Sequence, residues 1–485
     1  MRESLTILAS ILIAALTAAL VGPWFIDWTE QRAFIETQLS RAFGAPVETR
    51  GAIGLVLLPT PRLELGGVSL GDGGPVSLRT GAVRLELAVT ALLHGELRFL
   101  DAGVDQPQLR VTLDGEGALP SLPPLPEVQF ERLDVRGGAV TLEAPSGAVT
   151  VSGLDFQAEV ASLNGPFRGA GSFARAGERV GFRFSTGTRD GDKLRLKFVS
   201  DESAGVPRID VDGALLLGAR PGFEGPFILS GKRPTPWRAV GVSKLEATHL
   251  ALDPVELRFG AEAAPIVLGG AARFIVGTAP EGELALSARQ IDLDKNLTDA
   301  SPEALRVLLG SIAAPFPLRI TLASPATYLG GETITDLSLD ARLAPGAPIA
   351  LRLAGAGPGR SRLMLDGQVE TGWAPLFKGQ AAAEARDLAR LGDWLAPALP
   401  QLAGALRSSP VRSVEAAAVV EWSSAGFAAP KLSLKADRST FAGAAAFARA
   451  IGDERARLFA DLSSDALDLD GMPDLSWTGG ALAQA

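Results

Sequence analysis

Paired carboxylates are the residues of this chain best spaced to do chemistry. Asp292 and Asp294 are separated by one residue, as are Asp468 and Asp470. On a strand, an i, i+2 spacing turns both carboxylates of a pair to the same face, where two hard oxygen donors can begin a calcium site. Their neighbours Ile291, Leu293, Leu467 and Leu469 mark the apolar face, so the aspartates read more simply as the solvated one. The string Gly67-Val68-Ser69-Leu70-Gly71 has the composition of a nucleophile elbow, but an elbow needs a sharp strand-to-helix turn at the serine. Ser69 lies within a strand pattern and is followed by a glycine-rich loop and Pro75. Gly71-Asp72-Gly73-Gly74 sits between two strands with no helix after it, so it is a hairpin loop and not a phosphate cradle. The only histidines are His94, in a strand-end turn, and His249, in a similar setting. No cysteine occurs, which removes thiolate catalysis, disulfides and thiolate-bound metals together. We therefore assign no catalytic residue, no metal site and no cofactor, and read the chain as something other than an enzyme; a hydrolase would lack both base and nucleophile.

The elements around these residues are mostly strands. From Val47 onward apolar residues recur with period two, as in Val83-Leu85-Leu87-Val89, Leu109-Val111-Leu113, Leu318-Ile320-Leu322 and Leu337-Leu339-Ala341-Leu343. About 20 such runs lie close to Gly, Pro, Asp or Asn, the signature of antiparallel strands joined by turns. The 55 glycines and 33 prolines suit a chain of many turns. Helical patterns are few: 27–43, with Trp28, Ile35, Leu39 and Phe43 on one stripe; 301–312; and 384–406, broken by Pro397 and Pro400. The segment 119–127 is proline-rich and reads as a spacer. Short acidic tags recur at Ala288–Asp294, Ala385–Ala389 and Ser464–Asp470, which suits a sheet extended by similar hairpins. A net charge of −9 and the absence of any Lys/Arg-rich run exclude nucleic acid as a partner.

The amino terminus is different. Residues 4–26 carry no charged side chain, and as a helix they would reach about 35 Å, enough for a hydrocarbon core of about 30 Å. We place a short cytoplasmic tail at 1–4 and a transmembrane anchor at 5–26, formed by Leu5, Ile7, Leu8, Ile11, Leu12, Ile13, Leu16, Leu20 and Trp24. The rival is a cleaved signal with its site at Thr17-Ala18-Ala19; Pro23, Trp24 and Trp28 beyond that site favour retention. Either way the body is exported.

A strand with one apolar face must bury it against a second sheet or around an elongated trough, and periodicity alone leaves both open. The stretch from Gly51 to Leu70, with Leu58-Pro59-Thr60-Pro61 and Gly67-Val68-Ser69-Leu70, resembles the amino-terminal module of AsmA-family envelope proteins. The resemblance continues through Val83–Leu87, Leu92-Leu93-His94-Gly95-Glu96-Leu97 and Gln106–Gly115, so it covers residues 1–117 closely and later tags more loosely. It implies a mainly β fold with one N-terminal transmembrane helix and a few short helices: an elongated, twisted antiparallel sheet forming a groove, or half-pipe. In that arrangement 27–118 is a helix plus a chorein-like module, and 128–485 is a repetitive β-groove body. The resemblance further implies a single-pass protein of the bacterial inner membrane with its bulk in the periplasm. Such a protein would shield phospholipid acyl chains and contribute to transfer between the two membranes and to outer-membrane homeostasis. Its partners would be membrane phospholipids, the inner membrane and envelope proteins at the outer-membrane end. Candidate lipid-facing residues are Val83, Leu85, Leu87, Leu109, Val111, Leu318, Ile320, Leu337 and Leu339; the competing role for them is ordinary sandwich core. The alternative function is a non-enzymatic scaffold for outer-membrane protein assembly, acting through strand edges.

Overall fold

The computed structural model describes residues 27–464 apart from internal stretches, the longest being 90–97, 121–128, 297–313 and 449–456. The anchor residues Leu5 to Trp24, most of the 119–127 spacer, the helix expected at 301–312, His94 and the tag beyond Ser464 fall outside the described residues. No described helix is long and apolar enough to cross a membrane. The described chain is mainly β, with 29 strands in one mixed sheet, and it divides into two compact units. The first comprises Met1–Pro234, Arg238–Leu252 and Ile275–Ala279; the second comprises Thr235–Trp237, Asp253–Phe274 and Pro280–Ala485.

The first unit opens with helix α1 (Arg32–Phe43), then β1 (Val47–Thr49), β2 (Ile53–Val56), β3 (Arg62–Gly66), β4 (Val68–Leu70), β5 (Val76–Arg79), β6 (Ala82–Leu87), β7 (Arg98–Asp105) and β8 (Gln108–Thr112). Long strands follow: β9 (Gln129–Ala144), β10 (Gly147–Val160), β11 (Phe167–Arg175), β12 (Glu178–Thr186), β13 (Lys193–Ser200), β14 (Arg208–Leu216), β15 (Gly222–Gly231) and β16 (Trp237–Glu246). β17 (His249–Phe259) straddles the division between the units.

A crease runs across the early strands. The pairings form two series, β2–β3–β6–β7 and β1–β4–β5–β8, and the breaks between their members fall at Gly51, Gly67, Gly81 and Gln106. Backbone hydrogen bonds link these breaks: the amide of Gly67 donates to Gly81 O at 2.9 Å, that of Gly81 to Asp105 O at 3.0 Å, and that of Gln106 to Arg136 O at 2.7 Å. Gly67 has φ of 59° and Gly137, the next position across, 61°, a region glycine enters without a Cβ penalty. A Cβ on Gly51 would lie 2.7 Å from the backbone of Gly66, so bulk is excluded where the strands bend.

β7 and β8 behave as one kinked strand lying parallel to β9, Arg98 opposite Gln129 and Gln108 opposite Ala139. The second unit repeats this device. After β18 (Ile266–Ile275) come β19 (Glu281–Ser287), β20 (Ile291–Asp292), helical turn α2 (Leu293–Asn296) and β21 (Leu318–Leu329). β19 and β20 both lie parallel to β21, Gly282 opposite Leu318 and Ile291 opposite Thr327. The sheet is therefore mixed and not purely antiparallel as the turn pattern predicts; a parallel neighbour needs a crossover of about a dozen residues, and the segments before β9 and β21 supply it. The rest of the second unit is an antiparallel meander: β22 (Glu332–Leu343), β23 (Ile349–Gly357), β24 (Ser361–Glu370), β25 (Leu376–Ala385), β26 (Val414–Ser423), β27 (Gly426–Ala436), β28 (Ser439–Ala448) and β29 (Arg457–Ser463).

Between β25 and β26 stand α3 (Leu388–Leu395) and α4 (Pro400–Ser408). The expected helix 384–406 thus starts later, because Glu384 and Ala385 complete β25 and Asp387 is the N-cap, its carboxylate accepting from the Arg390 amide at 3.1 Å. α3 is held to hairpin turns of the sheet. Trp394 Nε1 donates to Leu329 O at 2.8 Å, Arg390 pairs with Glu332, and the Asp387 amide donates to Gly359 O at 2.9 Å.

Candidate functional site

In each unit the large apolar side chains lie mainly on one face of the sheet and the charged ones mainly on the other, and the two units cover their apolar faces differently. In the first unit α1 lies on the apolar face. Its Leu39 is buried with Val47, Ile53, Leu65, Leu85, Leu87 and Phe99, and Trp28 and Ile35 pack against the same cluster. Two polar anchors fix the helix. The Glu36 carboxylate accepts from the Thr49 amide at 2.7 Å and hydroxyl at 2.8 Å, and the Arg32 guanidinium donates to the carbonyls of Thr49 and Gly51. Farther along, phenylalanine rings lie over glycines of the next strand. Phe156 is opposite Gly171 and Phe184 opposite Gly169, and a Cβ on Gly169 would stand 2.6 Å from the Phe184 ring. Phe156, Phe173, Phe182, Phe184 and Phe198 form a chain of ring contacts at 5.8–6.5 Å.

In the second unit, strand register lines up large apolar side chains in a row that crosses the strands. Leu318 faces Leu343, Ile349 faces Val369, and Val369 faces Phe377. Phe377 faces Trp422, which faces Phe427, then Phe447, then Leu458. Leu343, Ile349, Val369 and Phe377 belong to one buried cluster, with Leu318 and Ile320 packed on it. Exposure then rises abruptly along the same row, from 8% at Phe377 to 58% at Trp422, 40% at Phe427 and 70% at Leu458. Two residues along each strand the row is smaller: Ile320 opposite Ala341, Gly367 opposite Gly379, and Ala445 opposite Ala460. The next row is again large at Leu322, Leu339, Leu353 and Leu365. The face therefore carries one bulky row across β21–β29 and a second that is bulky over β21–β24 and then gives way to Ala381, Ala418 and Gly443, with a line of mixed size between them.

The sequence-predicted lipid-facing residues divide accordingly. Leu85 and Leu87 are buried beneath α1 and Val83 packs against that cluster. Leu109 and Val111 are half-buried in β8, opposite Leu78 and Val76. Leu318, Ile320, Leu337 and Leu339 lie half-buried on the apolar face of β21 and β22. Sequence reasoning did not select Trp422, Phe427 or Leu458, the most exposed members of the row. Their runs are mostly alanine and polar residues, so the alternation there is weak, and only the register joins them to Phe377.

The opposite faces carry ion-pair ladders, such as Arg84–Asp105 at 2.6 Å, Arg319–Asp340 at 2.9 Å and Arg352–Asp366 at 2.7 Å. The hydrogen bond from the Arg319 guanidinium holds the Asp340 carboxyl below its ordinary range. The candidate carboxylate pair is used structurally. Asp292 ends β20, and Asp294 lies in α2, not on one strand face with it, because the Asp292 carboxylate accepts from the Lys295 amide at 3.0 Å and starts a helical turn. The hydrogen bond from the Lys295 ammonium, above all, lowers the Asp292 pKa. The two oxygens of Asp294 accept from the amides of Gly330 and Gly331 at 2.6 and 2.9 Å, tying the tag to the β21–β22 turn. Asp437 does the same for the amides of Arg412 and Ser413. Ser69 pairs within strand β4, and His249 Nδ1 lies 3.3 Å from Thr248 Oγ1 at the start of β17. No described group of acidic or histidine side chains is arranged to hold a metal.

Residues 1–122 match the AsmA family. No curated protein and no solved structure matches the chain.

Proposed function

We propose that this chain, which carries an AsmA family domain over residues 1–122, is a non-enzymatic protein of the bacterial envelope that holds phospholipid acyl chains against the apolar face of its sheet. It is anchored in the inner membrane through 5–26, extends into the periplasm, and contributes to phospholipid transfer between the two membranes. The observation that carries this reading is the row from Trp422 through Phe427 and Phe447 to Leu458, a register-aligned ridge of aromatic and aliphatic side chains that continues the buried row ending at Phe377 and is itself largely in water. Contiguous apolar surface of that kind marks a binding site, and one built from flat ridges with no convergent polar groups suits an alkyl chain better than a polar substrate. The AsmA domain supports the choice of lipid over another apolar ligand, since that family belongs to the bacterial envelope. In this reading tails lie along the exposed row and headgroups remain in water. Movement needs no chemical step.

The test is site-specific photocrosslinking in the full-length protein in cells. A photoreactive residue at Trp422, Phe427 or Leu458 should capture phospholipid. The same residue at Glu421 or Lys431, on the charged face of the same strands, should not. Equal capture at both sets, or none at either, overturns the proposal.

A further inference from the structure

The charged face of the first unit is concave. A hollow of 1340 Å³ crosses its strands from β3 to β14, lined mainly by Arg, Lys, Asp and Glu. Its early half is internally neutralised: Arg62 pairs with Glu86, Arg84 with Asp105, Arg132 with Asp101 and Arg136 with Asp134. Its later half is not. Arg168, Arg183, Lys197 and Arg208, one on each of β11 to β14, line the same hollow and are all exposed. None of the four has an ion-pair partner among the described residues. Two carboxylates share that half of the lining, Glu159 opposite Arg168 and Asp210 opposite Val199, next to Arg183. Asp212, opposite Lys197 but held by Arg195, and Asp201, which lies over Gly181, border the hollow; within that half of the lining the four cations outnumber the two carboxylates, and the cations face solvent.

Register sets how close they are. Arg168 faces Ser185, which faces Lys197; Arg183 lies one step along β12 on the same face. With about 4.8 Å between strands and about 6.8 Å per two residues, Arg183 stands roughly 8 Å from both Arg168 and Lys197 at the backbone, and those two about 10 Å from each other. Long side chains converge readily over such distances, and guanidinium forks match the tetrahedral oxygens of a phosphate. We infer that Arg168, Arg183 and Lys197, with Arg208 at the margin, form a binding site for a phosphate-bearing polar group on the face opposite the phenylalanine chain. The hollow is far larger than one phosphate, so the group it takes is attached to a larger polar body. The site stands on the charged face and does not depend on the acyl-chain proposal.

The experiment uses the full-length protein reconstituted in phosphatidylcholine nanodiscs, with two probes: inorganic phosphate followed by calorimetry, and phosphatidylglycerol vesicles followed by co-sedimentation. Saturable phosphate binding identifies a site for the free anion; vesicle capture without phosphate saturation identifies a lipid headgroup. In either case Arg183→Gln combined with Lys197→Gln should weaken binding by about fivefold or more, whereas Arg84→Gln, which removes a paired cation of the same hollow, should change it less than about twofold. Thermal melts of the double variant should match the parent, since both side chains are exposed. Binding of neither probe, equal losses for Arg84→Gln and the double variant, or equal capture of phosphatidylcholine vesicles would overturn the inference. Trp422→Ala should leave phosphate binding intact, so failure here and failure of acyl-chain binding are separable.

Discussion

Phe377 and Trp422 are opposite each other on neighbouring strands of one apolar face, yet alanine at the two positions should do opposite things. A tryptophan carries roughly 200 Å² of buriable surface. With 58% of it exposed at Trp422, about 115 Å² remains in water. An acyl chain laid over that surface would gain at most about 3 kcal/mol at 25 cal/mol/Å². Truncation to alanine should remove about 2 kcal/mol of this, a loss of roughly 30-fold in affinity, while costing the fold no more than about 2 kcal/mol. Phe377 is 8% exposed within a buried cluster, so Phe377→Ala should destabilise the second unit by about 3–5 kcal/mol. The assays are displacement of a fluorescent fatty acid from the purified full-length protein and thermal unfolding of the same samples. Trp422→Ala with undiminished lipid affinity would refute the reasoning. So would a loss of stability as large as that of Phe377→Ala, because Trp422 would then be interior packing.

Gly379→Val should destabilise the second unit by about 2–4 kcal/mol, because a Cβ there would sit 2.4 Å from Asp366 O and 2.5 Å from the Gly367 Cα. Gly404→Ala in α4, where a Cβ meets nothing within 4 Å, should instead stabilise by up to about 1 kcal/mol; urea midpoints for both variants check the contrast. Asp437 makes a pH prediction. Donation from the Arg412 amide, first, and from Ser413 holds its carboxyl below the ordinary range, so the folded chain binds this proton less readily than the unfolded one. Its contribution is complete above the unfolded pKa near 3.9 and is lost as pH falls through the lower folded value. Asp437→Asn should therefore be less stable than the parent at neutral pH and approach it below about pH 3.5; a constant difference across that window would count against the assignment.

Period-two alternation made the strands of this chain legible, along with the face on which each buries its apolar residues: Val83-Leu85-Leu87 and Leu318-Ile320-Leu322 lie on such faces. The parallel pairing of β9 and β21 was hidden because it depends on long connections and not on the strands themselves. The acidic tags were visible as repeats, but their role was not. Alternation suggested two aspartates on one strand face, whereas Asp292 starts a helical turn and only Asp294 reaches the amides of Gly330 and Gly331. The helix start at Leu388 was missed for a similar reason: strand pairing with β26 extends β25 through Ala385 against a local helical preference.

Leu85 and Trp422 show why an alternating pattern cannot by itself identify a lipid surface. Both stand on apolar strand faces. Leu85 is closed over by α1, whose entry is fixed by Glu36 and Arg32 hydrogen-bonded to the β1 backbone and the glycine beyond it, so its apolar area is already consumed in folding. Trp422 and Leu458 have no such helix among the described residues. α3, one of the two helices that precede β26, is tied to the hairpin turns at Leu329 and Gly359, while the row lies at the other end of those strands, where Leu318 pairs with Leu343 and Ile349 with Val369. Binding capacity therefore follows cover and not hydrophobicity. A face whose apolar area is spent on a helix stabilises the fold, and one whose area remains in water is free to stabilise a ligand. On that criterion, of the strands that alternation picks out, β6 is spent beneath α1, and β26–β29 become the better candidate for the acyl-chain surface of this protein.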